Sequence, residues 1–521
     1  MYRYTLEEMF VLVATTVAIL QSSLSIAPVL SLSHSSYYSS TTISDDKPRW
    51  LVSLRGGAVG SDGNKEKVSD NAEKNDSMKE EETCDAHTKS TTSTTAEIEE
   101  EEKEKLLPPL YSYRTVQVQV IHRHGDRTPI TPLKNEDYWG KSLVPGDLIK
   151  KVAEGTTILR HDNKSKNNNT NTQNHAAVGR GPFGKLTKLG LLHMIEVGGS
   201  LKEELENDTI WAESVTASVT TKITIANIDG VQIQLTPKDI RVYSTDFART
   251  IQSAQGLLVG FFPENDMTID IDCRGTTQWM IPDPQPRQTR EQELLERSLA
   301  QRPHVVEKEA TMRHLAVRVT QELLPLLQDG AFDISFGVED NEDDEIDASP
   351  TLSWIQLTEI TKCLSVRSML PESITVEDQQ ALSDHTAWKW FQSLRSPRLA
   401  YISMRRFTKT LAMTMKRNDQ EPPLIVYSCH DSSLIGLLCA LNLEQPSHWP
   451  EYGAVMKLEL LEKKMQPQDQ ENEETGDVEY VLRFYLNGEL LRSMWNDDLR
   501  EEISLEEFIH YTSTVGKDEK V

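Results

Sequence analysis

Cysteine is scarce in this sequence, five residues in 521, and that excludes a disulfide scaffold; the odd count leaves at least one thiol unpaired if the chain is secreted. No CxxC or HExxH spacing occurs, so neither a metal nor another cofactor is expected. Positive charge is also short. Lysine and arginine number 55 against 81 aspartate and glutamate, a formal net charge of −26, whereas nucleic-acid binders carry a basic stripe, so no nucleic-acid partner is expected. Aromatics at 7% and hydrophobic residues at 37% are lean for a compact domain and point to an ordinary core diluted by polar tails and insertions. No internal repeat is present.

The acidity is unevenly placed. Residues 61–107 hold 15 acids and 7 bases, residues 339–347 hold 7 acids and no base, and residues 465–479 hold 6 acids and no base. The rest of the chain is therefore nearly neutral, and residues 122–134 are locally +2. The first segment is Ser, Thr, Glu and Lys with almost no branched apolar residue, too little to offset its ordering entropy, so a disordered linker is expected over 36–110. The other two, and an Asn-rich stretch at 161–175, read as solvated loops.

Ahead of the linker, residues 9–43 carry no formal charge. The apolar run 9–20 has the length of a signal-peptide core, short of the ~20 residues that span a bilayer. Residues 1–35 thus read as a secretory signal, or as a signal anchor reaching residue 32, the one route to a membrane. The Ser/Thr-rich stretch 31–42 also suits a second, organelle-directed address. The expected location is the secretory pathway: secreted, an endomembrane lumen, or a lysosome- or vacuole-like compartment. Sequons at Asn75, Asn163, Asn168 and Asn207 fit that route.

Order begins at Tyr111. Residues 115–122 (TVQVQVIH) alternate valine with glutamine and then turn apolar, as a strand does on entering a sheet interior. Residues 455–461 and 480–486 read as a β-hairpin with an enlarged tip. Helices are expected over 187–205, with Thr187 as N-cap, and over 398–416, opened by Pro397. Trp354, Leu357 and Ile360 mark an amphipathic helix whose apolar side reads as core rather than as substrate wall.

Chemistry-bearing side chains gather after the first strand, in Ile121-His122-Arg123-His124-Gly125-Asp126-Arg127-Thr128-Pro129. Arg123 and Arg127 flank one imidazole in a loop that Gly125 tightens and Pro129 ends. Guanidinium forks match the oxygens of a phosphate and stabilise the charge that spreads over them in a transition state. A neutral imidazole held among them is a competent nucleophile toward phosphorus. An arbitrary His beside an Arg is more often a structural histidine with surface charge next to it. The pattern Arg-His-Gly-x-Arg-x-Pro, however, fixes five positions and arises by chance in a chain of this length about once in ten thousand.

That pattern resembles the signature of the histidine acid phosphatases, branch 2 of the histidine phosphatase superfamily. Residues 241–250 (RVYSTDFART), continuing to Pro263, are similar to the family's second block, with Arg249 at its phosphate-ligand position; Ser253, Ala254 and Gly256 suit a helix lying close against the sheet. Residues 424–434 (LIVYSCHDSSL) are similar to the third, an apolar strand delivering His430 and Asp431. Weaker likeness extends through residues 184–190 and a C-terminal hairpin at 454–460 and 484–489.

Over about residues 111–497 the resemblance implies an α/β fold of the phosphoglycerate mutase-like kind. A doubly wound central sheet is flanked by helices, in a domain at 111–515 with its core at about 111–263 and 397–510, and a mainly helical cap is inserted at about 264–396. It implies an acid phosphatase hydrolysing phosphate monoesters through a phosphohistidine on His124. Arg123, Arg127, Arg249 and His430 bind the phosphoryl oxygens, and a protonated Asp431 serves the leaving alcohol, with an optimum below neutrality. The partner expected is a small-molecule or lipid phosphomonoester; the wording of residues 181–187 and 447–452 resembles the lysophosphatidic-acid-type acid phosphatases. A non-catalytic phospholipid- or inositol-phosphate-binding module and a phosphoglycerate-mutase-like phosphotransferase are the alternatives. Cys429 reads as a small buried hydrophobe.

Overall fold

The computed structural model describes residues 111–160, 181–207, 239–263, 268–273, 280–282, 289–330, 351–465, 478–495 and 498–517. The N-terminal address, the linker at 36–110, the Asn-rich stretch and the acidic stretch at 339–347 lie outside these residues. The strands that build the site's floor are β1 (Tyr111–Arg123), β2 (Thr156–Leu159), β3 (Ile240–Ser244), β4 (Ile269–Asp272), β5 (Leu424–Cys429), β6 (Val455–Met465) and β7 (Val478–Leu486). The longer helices are α1 (Lys188–Asn207), α2 (Ala248–Phe261), α3 (Arg290–Ala300), α4 (Pro303–Leu323), α5 (Trp354–Ser365), α6 (Val376–Leu394), α7 (Pro397–Lys416), α8 (Asp431–Ala440) and α9 (Leu505–Thr514). No described helix is long and apolar enough to cross a membrane.

The sheet runs β7-β6-β1-β5-β3-β4-β2, with Ile503–Ser504 beyond β7. From β1 to β2 the pairs are parallel; β6 and β7 continue the sheet antiparallel. It is therefore a mixed sheet with helices on both faces, the α/β architecture expected. Strand side chains alternate between faces. Val118 and Val120 of β1 join Val242, Ile271 and Val426 beneath α1 and α2. Ile121, Ile425 and Tyr427 face the other way, against Phe407 and Leu411 of α7 and Leu434 and Leu438 of α8.

The glutamines of β1 do not face water. Gln117 and Gln119 are fully buried under α7, where Gln119 Nε2 donates to Gln117 Oε1 at 2.8 Å and to Thr414 Oγ1 at 2.7 Å. The Gln119 amide nitrogen is thus paired, which offsets part of the cost of burying it, while Gln119 Oε1 has no hydrogen-bond partner among the described residues. Alternation in the sequence thus marked two covered faces, one apolar and one hydrogen-bonded.

Two helices begin where the sequence placed them. Thr187 Oγ1 accepts from Gly190 N at 3.0 Å, capping α1, and Pro397 occupies the first turn of α7, where its missing N–H costs nothing. Of the small residues of α2, Gly256 faces α1 rather than the sheet: a Cβ there would lie 2.9 Å from Leu191 Cδ1. The two helices meet backbone to backbone, since a Cβ on Gly198 would lie 2.0 Å from Leu257 O and one on Gly260 1.8 Å from Ile195 O.

The span expected to be helical cap, 264–396, is not uniformly so. Ile269-Asp270-Ile271-Asp272 forms β4, paired in parallel with β2 and β3, so the core sheet extends past residue 263. Four residues of period two are too short a signal to have been separated from a loop. The helical insertion after it has its own apolar centre, in which Leu315, Val319 and Leu323 of α4 pack with Leu357, Ile360 and Leu364 of α5, and with Trp139 and Phe183. Leu357 and Ile360 are core, as expected.

Candidate active site

Strand register brings the site together. Arg123 stands opposite Cys429 across β1 and β5, and Ser244 opposite Ser428 across β3 and β5. The next residues, His124 and His430, therefore leave two adjacent parallel strands at one level, and Thr245 leaves the third one residue earlier. The C-terminal edge of such a sheet is where ligands bind in open α/β folds. His124 and His430 stack edge to face with ring centroids 5.5 Å apart.

The loop after β1 is bound on every side. Gly125 N donates to Ser253 Oγ at 3.0 Å, and Thr128 Oγ1 donates to Pro182 O at 2.8 Å. Asp126 points away from the imidazole; its Oδ2 accepts from Thr187 Oγ1 at 2.5 Å and pairs with Arg367 Nη2 at 2.6 Å. Gly125 is required by space, because a Cβ there would sit 2.3 Å from Gly190 O. Both sides of that clash are backbone, so no rotamer relieves it. Gly125→Ala is expected to cost about 3 kcal/mol of stability, read from the midpoint of urea unfolding; an unchanged midpoint would show that the loop can move aside.

His124 is buried, 2% exposed. Its Nδ1 lies 2.9 Å from Gly125 O, and a carbonyl only accepts, so Nδ1 carries the proton and Nε2 the lone pair. Burial, and behind it the charges of Arg249, Arg123, His430 and Arg127, hold the imidazole well below its ordinary 6.5. The ring is thus neutral, with the nucleophilic nitrogen defined.

His430 shows the same logic in a chain. Thr250 Oγ1 donates to Thr245 O at 2.8 Å, Thr245 Oγ1 donates to Thr250 Oγ1 at 2.8 Å, and so Thr245 Oγ1 accepts from His430 Nε2 at 3.0 Å. His430 Nδ1 is left as acceptor, 3.4 Å from Arg249 Nη2. Burial and Arg249 hold this ring, too, well below 6.5.

Three guanidiniums converge on the pair. Arg123 pairs with Asp431 at 2.7 Å, donates to Pro450 O and lies 4.2 Å over the Tyr452 ring. Arg127 pairs with Glu359 at 2.7 Å. Arg249 lies 4.6 Å from the Phe247 ring centroid; burial, then Arg127, push it down to about 9, so it has the most to gain from an anion. The Nε atoms of all three are buried with no hydrogen-bond partner among the described residues. Unpaired buried donors are costly, and an oxyanion among them removes that cost.

Asp431 opens α8. Its Oδ1 accepts from Ser432 N at 2.8 Å and its Oδ2 from Trp449 Nε1 at 2.9 Å. Burial raises its pKa, but Arg123 and the Trp449 indole outweigh burial and hold the carboxyl well below the usual carboxylate range. This corrects the expectation of a protonated Asp431: in the free site it is a carboxylate, because Arg123 is in direct contact with it.

The site residues read from sequence, His124, Asp431, Arg123, Arg127, Arg249 and His430, thus meet at one point, around a neutral imidazole under unpaired guanidinium donors. Residues 116–318 match the histidine phosphatase superfamily, branch 2. The branch 2 match takes in the first two blocks and ends before His430, which geometry alone joins to them. No curated protein matches the chain. Similar solved structures include Hafnia alvei phytase in complex with myo-inositol hexakis sulphate, at 13% identity and TM-score 0.47, covering 78% of this chain and 98% of that one. The phytase of Citrobacter braakii has 15% identity and TM-score 0.45, with 77% and 97% covered. The Bifidobacterium longum multiple inositol polyphosphate phosphatase complex has 10% identity and TM-score 0.42, with 78% and 93% covered.

The site opens into a small pocket of about 30 Å³ lined by Arg123, Arg127, Asp431 and Tyr452 below and by Ile355, Thr358, Glu359, Lys362 and Thr386 of the helical insertion above, with Trp449 at the side. Sequence reading gave no role to Thr245, Glu359 or Lys362. Trp449 and Tyr452 fell within a segment singled out for its wording alone. No local pattern marks Glu359; its partners, Arg127 Nη1 and Ile130 N, lie more than 200 residues away. Cys429, as expected, is a buried thiol, raised by burial and thereby inert.

Proposed function

We propose that this protein is a phosphomonoesterase that works through a phosphohistidine on His124. The observation that carries the reading is a neutral imidazole, its tautomer fixed by Gly125 O, facing three guanidiniums. In the first step His124 Nε2 attacks phosphorus, the N–P bond forms and the P–O ester bond breaks. Arg123, Arg127 and Arg249 take up the charge on the non-bridging oxygens, and His430, fixed by Thr245, packs beside them. In the second, water attacks phosphorus, the N–P bond breaks, Asp431 accepts the water's proton, and the imidazole returns neutral.

Because Asp431 starts as a carboxylate, the leaving alcohol's proton enters with the substrate. A phosphate monoester keeps one proton below its second pKa of about 6, and the monoanion can pass it to Asp431 as it binds. The sign of the pH dependence follows. His124, held below 6.5, remains a nucleophile well into the acid range, while above pH ~6 each unit removes about nine-tenths of the protonated substrate. kcat/KM is expected to fall about tenfold per pH unit there, and the limb moves with the substrate's second pKa; a limb that stays put for esters of different pKa would assign it to the protein instead.

Lysophosphatidate is the natural ester we favour, supported by the wording of residues 181–187 and 447–452. Phosphate release from p-nitrophenyl phosphate and lysophosphatidate tests the reading. No release favours the binding module, and phosphate appearing on an added acceptor rather than in solution favours the transferase. For location we propose the secretory pathway, supported by the uncharged residues 9–43; a native N-terminal peptide containing Met1 would sink a cleaved signal.

A further inference from the structure

The pocket is charge-balanced to within one unit. Four cations face it or stand behind it: Arg123, Arg127, Lys362 and Arg249. Three have a carboxylate partner, Arg123 with Asp431 and Arg127 with Glu359, both at 2.7 Å, and Lys362 with Glu451. Arg249 alone among them forms no ion pair within the described residues; its nearest polar contact is the His430 ring. One surplus positive charge suits one phosphate group.

Most polar groups of the wall opposite the phosphate position are engaged within the protein. Thr358 Oγ1 and Thr386 Oγ1 bond each other at 2.7 Å and both also bond Leu382 O. Trp449 Nε1 is engaged by Asp431 and Lys362 by Glu451. What the wall leaves available is apolar: Ile355, 46% exposed, and the indole of Trp449. Glu359 puts a buried carboxylate into that wall, anchored by Arg127 and Ile130 N.

Resting on the phosphomonoesterase reading, we propose that the pocket selects esters with one phosphate and an uncharged apolar or aromatic leaving group, and that Glu359 and Glu451 reject polyphosphorylated esters. A second phosphate on the leaving group would meet carboxylates whose cations are already committed, and like charges side by side are strongly unfavourable. Among the described residues Lys362 is the only lining cation on the leaving-group side, and Glu451, 58% exposed, neutralises it.

The test compares kcat/KM for 1-naphthyl phosphate and myo-inositol hexakisphosphate in the intact chain and in Glu451→Gln. The expected preference for the naphthyl ester is at least about a hundredfold. Glu451→Gln frees Lys362 and is expected to raise the hexakisphosphate value about fivefold, as one exposed charge allows, with the naphthyl value unchanged. A hexakisphosphate value within tenfold of the naphthyl one, or a ratio that Glu451→Gln does not move, overturns the proposal. If neither ester is turned over, the hydrolase reading fails and this one is still decided, because equilibrium binding of the two intact esters reads the same preference. Tighter naphthyl binding upholds it, and tighter hexakisphosphate binding overturns it.

Discussion

Replacing His124 by alanine is expected to lower kcat for p-nitrophenyl phosphate by about 100,000-fold, the scale on which an enzyme loses its nucleophile. No neighbour can substitute. The other imidazole, His430, has one nitrogen donating to Thr245 and the other facing Arg249, and the nearby Cys429 and Cys363 thiols are buried and raised. Arg123 and Arg127 stay in place through Asp431, Glu359 and Tyr452, so phosphate binding is expected to survive while turnover does not. Rapid quenching with ³²P-labelled ester supplies the second readout: an acid-labile, alkali-stable phosphoprotein in the intact chain and none in His124→Ala. Turnover reduced less than tenfold, with the phosphoprotein still formed, would remove His124 from the nucleophile's role.

Asp431→Asn is the second large effect, about a thousandfold in kcat, within the range of a lost general acid–base group. Its size depends on the leaving group. p-Nitrophenolate departs without a proton, so the first step suffers little and the loss lies in water attack, visible as accumulating phosphoprotein. An alkyl ester needs the proton, so the first step fails and no phosphoprotein accumulates. The amide also loses the charge paired with Arg123 at 2.7 Å and frees that guanidinium, so phosphate is expected to bind the variant more tightly. Equal losses for both esters with weaker phosphate binding would make Asp431 a structural anchor for Arg123 instead.

Legibility in the sequence followed the range of the interactions. Arg123, His124 and Arg127 share one loop, Arg249 and the pair His430 and Asp431 each follow an apolar strand, and such local patterns survive in a linear reading. So did the hairpin, seen as β6 and β7, the Thr187 cap of α1 and the Pro397 start of α7. The protonation of Asp431 did not, because it is set by the Trp449 indole and the Arg123 guanidinium, one distant in sequence. Glu359 was likewise invisible: an acid within an amphipathic helix looks solvated until Arg127 is seen beside it. β4 was missed for its brevity.

The pairing of β1 with β5 has a consequence for how the chain is made. Val118 lies against Leu424 and Arg123 against Cys429, and on its other side β1 pairs with β6, with Val118 against Glu459. Both partners are synthesised roughly 300 residues after β1, about 15 to 60 s at ordinary elongation rates. Until then the strand that carries the nucleophile has both edges open, which makes folding slow and the nascent chain prone to wrong pairing.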